Sequence, residues 1–299
     1  MATTTFVQTL VNGLAIGGSY SMIAVGFCLV YSIMKFTNFA HGSMISAAAF
    51  ISYWFCNKFD LGLLGSLCAA IGAGALIGLI TEVLAFRRIA KKSASNFYFF
   101  VSSLAWGTFV EQLVNNGVGI RALAFPKFYS SLAIKFTIGG TTYTLMTNYV
   151  YMLISAIIVL MLLFVFLYKT KYGRAIRATS FDRDTANLMG INVALTIQIV
   201  FILAGVMAGV GGVFLGVKNK IYAQLGSDVV TKGFISSVIG GLGSVYGAVI
   251  GAFVLGVVEQ FLVYFVGSNM ARVLIFVLML VFLLIRPQGI AGVVVKDKA

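Results

Sequence analysis

Few side chains in this sequence could carry chemistry, and apolar residues surround them. His41 is the single histidine, and Glu111 is the one acid well inside a predicted membrane span. His41 either forms hydrogen bonds at a helix start or lines a solute path, because ionisable groups within membranes are often functional. A lone histidine with no second ligand nearby is not a metal site. Phosphate-loop, metalloprotease and nucleophile-elbow motifs are absent, so we expect no catalytic residue, no metal and no bound cofactor.

The composition predicts the class of protein. Of 299 residues, 60% are hydrophobic and only 10% are charged, whereas about a quarter are charged in a typical soluble domain. We therefore expect an all-α polytopic membrane protein that forms a single transmembrane domain over residues 1–299. The net charge of +13 suits loops that face anionic lipid. Because these charges are scattered between spans, we expect no nucleic-acid partner.

The apolar runs predict about eight to nine transmembrane helices, some of them broken or re-entrant. In order, they are Phe6–Met34, Ser43–Cys56, Leu61–Phe86, Phe97–Gly117, Tyr149–Tyr168, Ala194–Val217, a half-length run ending at Ile239, Gly247–Val266 and Met270–Ile285. Lysine and arginine follow the runs that should end in the cytoplasm. The N-terminus is then outside and the C-terminus cytoplasmic, provided that the GGLGS sequence at 240–244 completes one broken crossing. If it is only a re-entrant dip, this orientation fails.

Two interruptions mark the predicted solute path. The NFAHG sequence at 38–42 precedes an apolar run shorter than the ~20 residues of a full span, and GGLGS interrupts the later run. Short or glycine-interrupted segments often flank the substrate site of a transporter. The candidate path residues are Asn38, His41, Gly42, Glu111, Gly240, Gly241, Gly243 and Ser244.

A short internal similarity suggests an inverted repeat. The stretch from Gly74 to Glu82 matches that from Gly251 to Glu259, and in the predicted topology the two run in opposite directions. The repeats would cover about residues 6–117 and 149–286, separated by an extracytoplasmic loop at 118–148. Alternation around Gly139-Gly140, from Ile134 to Leu145, predicts a small hairpin in this loop. Both glutamates lie near predicted span ends, where solvated or lipid-interface acids are the simpler interpretation.

Residues 169–193, called the charged segment below, form a polar run between two spans. It contains five of the 21 basic residues and two of the eight acids. Its excess of basic residues places it in the cytoplasm, and its alanine, leucine, methionine and arginine content favours helix. Arg174, Arg177 and Arg183 could donate forked hydrogen bonds to carboxylates of a partner.

Four motifs together resemble those of the permease subunits of branched-chain amino acid ABC importers, of the LivH type. They are NFAHG, the stretch from Arg174 to Asn192, GGLGS, and Arg286-Pro287-Gln288-Gly289, and they fall in the family's order over nearly the whole chain. NFAHG and the RPQG ending are the specific signals. Ser43 departs from the pattern, since the family often has an acid there, and Ile285 is a smaller departure.

The resemblance implies a cytoplasmic coupling helix that docks on an ATPase. The matching positions are Gly173, Arg174, Arg177, Asp182, Ala186, Gly190 and Asn192. It also implies a prokaryotic inner-membrane location, a homologous second permease subunit, two cytoplasmic ATPase subunits that bind the ATP, and an extracytoplasmic solute-binding protein. The expected substrate is a branched-chain or other neutral amino acid, with urea or short amides as alternatives. A stand-alone secondary transporter or channel for a small polar solute is the rival class.

Overall fold

The computed structural model describes residues 2–92, 95–119, 121–125, 133–138 and 141–291. The elements are α1 (Ala2–Met34), α2 (Ala40–Phe59), α3 (Leu63–Thr81), a π-helical turn (Glu82–Phe86), α4 (Arg87–Lys91), α5 (Asn96–Val118), β1 (Ala133–Ile138), β2 (Thr141–Met146), α6 (Thr147–Lys169), α7 (Lys171–Phe181), α8 (Arg183–Leu188), α9 (Val193–Asn219), α10 (Leu225–Gly240) and α11 (Val245–Ile285). The predicted helical membrane fold is confirmed.

Among the described residues, five helices are long and apolar enough to cross a membrane. They are Phe6–Met34, Leu63–Ala90, Thr147–Lys169, Val193–Asn219 and Val245–Ile285. α10 has only 16 residues, and α11 is broken at Gly267, whose φ is 83°. The predicted separation of the last two spans is therefore confirmed, because a left-handed φ interrupts the helix between them. The number of crossings stays a prediction.

α1 is the central helix of the bundle. Most of its apolar length is buried, and it packs against α6, α9, α10 and α11. Its closest approach is to α11, where a Cβ on Gly256 would collide with the backbone of Gly13 and Gly17. Membrane helices associate through small residues of this kind, because close backbones maximise packing where no hydrophobic force drives association.

α3 and α9 make a second close pair. A Cβ on Gly74 would collide with the carbonyl of Gly205, and a Cβ on Gly205 would collide with the carbonyl of Gly74. Gly251, which the internal similarity equates with Gly74, likewise leaves no room for a Cβ beside the carbonyl of Ser236 on α10. Both similar stretches therefore use glycine for helix contact. The inverted repeat itself stays a prediction.

The predicted hairpin is confirmed. β1 pairs antiparallel with β2, from Ala133 opposite Met146 to Ile138 opposite Thr141. The glycine pair that the sequence predicts at its turn, 139–140, lies outside the described residues, as do residues 126–132 of the same loop. A further bridge joins Leu123 to Ile221, so this loop lies beside the end of α9.

Candidate translocation and coupling sites

The charged segment folds as two helices, where the sequence predicts a single short one. Thr170 caps α7 by accepting a hydrogen bond from the Gly173 amide at 3.0 Å. Asp182 is extended, with φ −151°, so α7 ends and α8 begins there. Its carboxylate accepts hydrogen bonds from the amides of Asp184 at 2.9 Å and Thr185 at 3.0 Å. A side chain that binds the free amides of the first turn starts a new helix, and this competes with continuing α7.

Hydrogen bonds to Asp182 also set its acidity. The backbone amide and the hydroxyl of Thr185 both donate to the carboxylate, and they hold the pKa of Asp182 below its ordinary value. The group lies on the surface, outside the membrane-spanning helices. The cap is therefore ionised and formed at neutral pH.

Several positions implied by the resemblance shape the charged segment from within. Gly173 packs so closely on α6 that a Cβ would collide with the carbonyls of Phe166 and Leu167. Ala186 is buried. Gly190 has a φ of 82°, which favours glycine, and Asn192 caps α9 by accepting from the Leu195 amide at 3.0 Å.

Two of the three arginines expected to reach a partner are used within the chain. The Arg177 guanidinium donates to the Leu167 carbonyl and lies 4.6 Å from the centre of the Tyr168 ring. Arg183 Nε donates to the Ile33 carbonyl at 2.8 Å. These carbonyls belong to the last turns of α6 and α1, where cations are favoured. Arg174 is exposed and is the arginine that remains available to a partner.

The charged segment also presents apolar side chains that the sequence reading missed. Phe181, Leu188 and Met189 are 94%, 86% and 78% exposed. Large apolar residues within a polar segment were the available signal. They form a surface of the kind that binds another protein, and the three are called the apolar tip below.

The charged segment and the basic cluster after α3 lie at the same end of the bundle. Arg87, Arg183 and Asn192 line one cleft of 910 Å³. The N-terminal end of α5 lies there too, because the side-chain Nδ2 of Asn96 donates to the Lys35 carbonyl at 3.4 Å. Basic residues therefore collect at this end, called the coupling end below.

The NFAHG interruption lies inside the bundle. Asn38 Oδ1 accepts a hydrogen bond from the Ala40 amide at 3.2 Å at the start of α2. His41 is fully buried, and its ring fills the space beside Gly26. Neither ring nitrogen makes a hydrogen bond of normal geometry within the described part of the chain. His41 is at a helix start, as one interpretation held, but without the hydrogen bonds that this interpretation assumed.

Gly42 brings the start of α2 against the start of α10. A Cβ on Gly42 would press on the Gly226 backbone, and the Gly226 amide donates to Ser46 Oγ at 2.8 Å. Glu111, on α5, joins them by accepting from the Ser227 hydroxyl at 2.7 Å. Two candidate path residues, Gly42 and Glu111, thus converge at the start of α10.

The GGLGS interruption lies at the other end of α10. Gly241 and Gly243 have φ values of 110° and 93°, and Ser244 caps α11 by accepting from the Gly247 amide at 3.2 Å. Gly243 and Ser244 line a cavity shared with Arg177, at the coupling end. Since the 16 residues of α10 span roughly 24 Å, the structure does not bring this interruption together with NFAHG.

The RPQG ending closes this turn. The amides of Ile290 and Ala291 donate to the carbonyls of Ile239 and Gly240 at 2.8 and 2.9 Å. The last carbonyls of α10 therefore have partners, which a helix end inside a membrane protein requires. Gly240, a further path candidate, packs against Gly247 with no room for a Cβ.

A buried ion pair was missed by the sequence reading. Lys232 Nζ on α10 donates to Glu259 Oε1 on α11 at 2.5 Å and to the Tyr20 hydroxyl on α1 at 2.8 Å. A lysine and a glutamate inside apolar helices were the available signal. The interpretation of Glu259 as a solvated acid is wrong, because the residue is only 7% exposed.

Glu82 is also paired rather than solvated. Its carboxylate accepts from Arg87 Nη2 at 2.6 Å and from Nε at 3.1 and 3.2 Å. The residue is 4% exposed. The π-helical turn that begins at Glu82 places Arg87 five residues later, within reach of the carboxylate. The second solvated-acid interpretation is therefore wrong for the same reason.

The described geometry defines a polytopic helical membrane protein with a buried ion pair and an exposed segment at one end. The model of the family described as "Branched-chain amino acid transport system / permease component" matches residues 9–283. The chain belongs to this family.

Curated relatives agree with this assignment. The high-affinity branched-chain amino acid transport system permease protein LivH of Salmonella typhimurium is 30% identical, over 96% of each chain. BraD of Pseudomonas aeruginosa, a permease protein of the same kind of system, is 29% identical, also over 96% of each. Among solved structures, PsaBC from Streptococcus pneumoniae in complex with Fab gives a TM-score of 0.49 at 15% identity, covering 95% of this chain and 92% of that chain.

Proposed function

We propose that this chain is the membrane-spanning subunit of an ATP-driven importer for branched-chain or other neutral amino acids. The observation that carries the proposal is the family match over residues 9–283. The named relatives are permease proteins of branched-chain amino acid transport systems. Such a subunit hydrolyses no ATP itself, so the energy must come from partner ATPases.

The apolar tip and Arg174 form the proposed docking surface for an ATPase subunit. Phe181, Leu188 and Met189 offer apolar area, and Arg174 offers a guanidinium that can bind a carboxylate in forked geometry. The positions implied by the resemblance support this surface indirectly, because Gly173, Asp182 and Ala186 fix the shape of the two helices that present it. ATP-driven closure of two ATPases would then move α7 and α8, and through them α6 and α1.

The proposed orientation has the coupling end in the cytoplasm and the N-terminus outside. Support comes from the basic residues at that end, which follow the positive-inside rule. α1 begins at the opposite end, because Arg183 contacts its last turn. The proposed assembly places this chain and a second homologous permease in a prokaryotic plasma membrane. Two ATPases bind on the cytoplasmic side, and a solute-binding protein delivers the amino acid from outside.

The docking proposal predicts a loss of coupling when acidic residues replace Arg174 and Met189. Arg174→Glu combined with Met189→Glu should abolish ATPase co-purification and ATP-driven leucine uptake, while leaving the chain folded in the membrane. Arg121→Glu is the control, since Arg121 is exposed on the segment that pairs with Ile221 at the opposite end. Unchanged uptake by the double variant would refute this docking surface.

A stand-alone secondary transporter is the second candidate, and the Lys232–Glu259 pair is the observation that favours it. Buried ionisable pairs can relay protons or bind ions in such proteins. The two candidates differ in energy source. Uptake into vesicles that stops without ATP, and continues after the proton and sodium gradients are abolished, supports the importer. The reverse dependence supports the secondary transporter.

A further inference from the structure

A cavity between α1, α10 and the second half of α11 holds charged groups of both signs beside an apolar wall. Its volume is 390 Å³, and Tyr20, Asp228, Lys232, Arg272, Ile275 and Phe276 are among its lining residues. It lies at the start of α10, opposite the coupling end. Small-molecule sites are typically a few hundred Å³, mostly apolar, with a few placed polar groups. This cavity, called the Lys232 cavity below, falls in that size range, and its lining is more polar than that of a typical site.

The charges of the Lys232 cavity divide into a paired set and an available set. Lys232 is neutralised by Glu259 at 2.5 Å. Asp228 accepts a hydrogen bond from the Tyr222 hydroxyl at 2.6 Å, and Arg272 donates one to Asn269 Oδ1 at 3.0 Å. Neither of these two forms an ion pair within the described part of the chain. One carboxylate and one guanidinium therefore face the same space with capacity left.

The paired set also has an unused acceptor. Glu259 Oε2 is buried and has no hydrogen-bond partner among the described residues. A buried carboxylate oxygen without a donor is costly. Lys232 is among the residues that line the cavity and Glu259 is not, so an occupant meets this pair through Lys232.

We propose that the Lys232 cavity binds the solute as a zwitterion with a short apolar side chain. Arg272 binds the α-carboxylate in forked geometry, Asp228 accepts from the α-ammonium, and Ile275 and Phe276 contact the side chain. This inference rests on the proposed function, and it adds the site and the groups that recognise each end of the solute. Lys232 and Tyr20, which are hydrogen-bonded to each other, also line the site.

Leucine protection of an introduced thiol tests the site directly. Ser227 lines the cavity, so Ser227→Cys is placed in a Cys68→Ser background, since Cys68 is exposed while Cys28 and Cys56 are buried. The full importer complex in lipid nanodiscs is labelled with N-ethylmaleimide. We expect leucine to slow labelling several-fold, and leucinamide and 4-methylpentanoate, which lack one charge each, to protect much less.

Charge-neutral variants test the assigned roles. Arg272→Gln and Asp228→Asn should abolish protection and lower leucine uptake by about tenfold or more, because each removes a charge-assisted hydrogen bond. Arg121→Gln and Asp60→Asn are matched controls, because both residues are exposed and neither lines this cavity. These variants should retain leucine protection and leucine uptake. Co-elution with the ATPases checks that every variant assembles.

The outcomes separate the two proposals. Normal leucine uptake without protection, or with full protection in Arg272→Gln and Asp228→Asn, overturns the site and leaves the proposed function standing. No leucine uptake by the unaltered complex overturns the proposed function and the ligand class together. Protection that is lost only in Arg272→Gln and Asp228→Asn supports the site.

Discussion

At the scale of single residues, Gly173 shows how a missing side chain can set the position of a helix in the charged segment. Its lack of a Cβ lets α7 lie against the last carbonyls of α6. Gly173→Ala should displace α7 and lower the stability of the folded chain by about 1–3 kcal/mol, the usual penalty for forcing an extra carbon into a packed contact. ATPase co-purification should fall with it. Gly72→Ala is the control, because among the described residues no atom outside the neighbouring backbone of its own helix lies within 4 Å of a Cβ there. Equal behaviour of the two variants would contradict the argument.

The Lys232–Glu259 pair gives a second residue-scale prediction. Either single variant, Lys232→Met or Glu259→Leu, leaves a buried charge without its partner and should lower the stability of the folded chain by about 3–5 kcal/mol. The double variant should be more stable than either single one, since no unpaired charge remains. Thermal midpoints of the complex in detergent measure this directly. If the loss of stability in the double variant equals the sum of the losses in the two single variants, the side chains are not coupled.

Residue contacts were the part least accessible from the sequence. The sequence identifies Arg177 and Arg183 as basic residues in a polar segment, but their carbonyl partners come from Leu167 and from Ile33, which is 150 residues away from Arg183. Glu259 was similarly judged by its place along one helix. Its partner lies on another helix, and no local pattern reveals a pair of that kind.

At the scale of elements, Asp182 divides the charged segment into α7 and α8. Asp182→Ala should unwind the first turn of α8 and weaken ATPase association, because the amides of Asp184 and Thr185 lose their acceptor. Asp182→Asn is the matched control, since asparagine caps helices equally well. Association measured by co-purification should be equal for wild type and Asp182→Asn and weaker for Asp182→Ala. An Ala variant that associates normally would show that α8 does not need its cap.

The pH dependence of this cap follows from the lowered pKa of Asp182. A carboxyl whose pKa is lower in the folded state stabilises it above the unfolded pKa of about 3.9. The contribution is lost as pH falls through the folded-state pKa. Association should therefore be insensitive to this group between about pH 5 and 8. If the difference in ATPase association between wild type and Asp182→Ala disappeared within this pH range, the assignment would be contradicted.

Elements were well predicted where hydropathy alone decides them. The break near Gly267, the long α9 and the β1–β2 hairpin follow from apolar length, glycine position and alternation. The sequence also revealed the two interruptions, NFAHG and GGLGS. It did not reveal where they lie in the bundle, where the length of α10 separates them. The depth at which a helix starts depends on the packing of its neighbours, such as Gly42 on Gly226.

At the scale of the whole molecule, one end carries the apolar tip and the basic residues, while the other carries the Lys232 cavity. α1 and α11 run between these ends and pack closely at Gly17 and Gly256. Movement of α7 and α8 can reach the cavity through α1, because Arg183 binds the last turn of α1 and Tyr20 lies on the same helix. This connection is the structural basis for the proposed coupling of ATP hydrolysis to transport.

The central claim is that this chain works as one subunit of an ATP-driven assembly. The most direct test is to tag the chain in its native cell, extract it gently and identify its partners by mass spectrometry. We expect a second permease of the same family and ATPase subunits to co-purify, and Arg174→Glu with Met189→Glu to lose the ATPases. Recovery of the chain alone, from an extract in which other ABC complexes remain intact, would contradict the importer assignment.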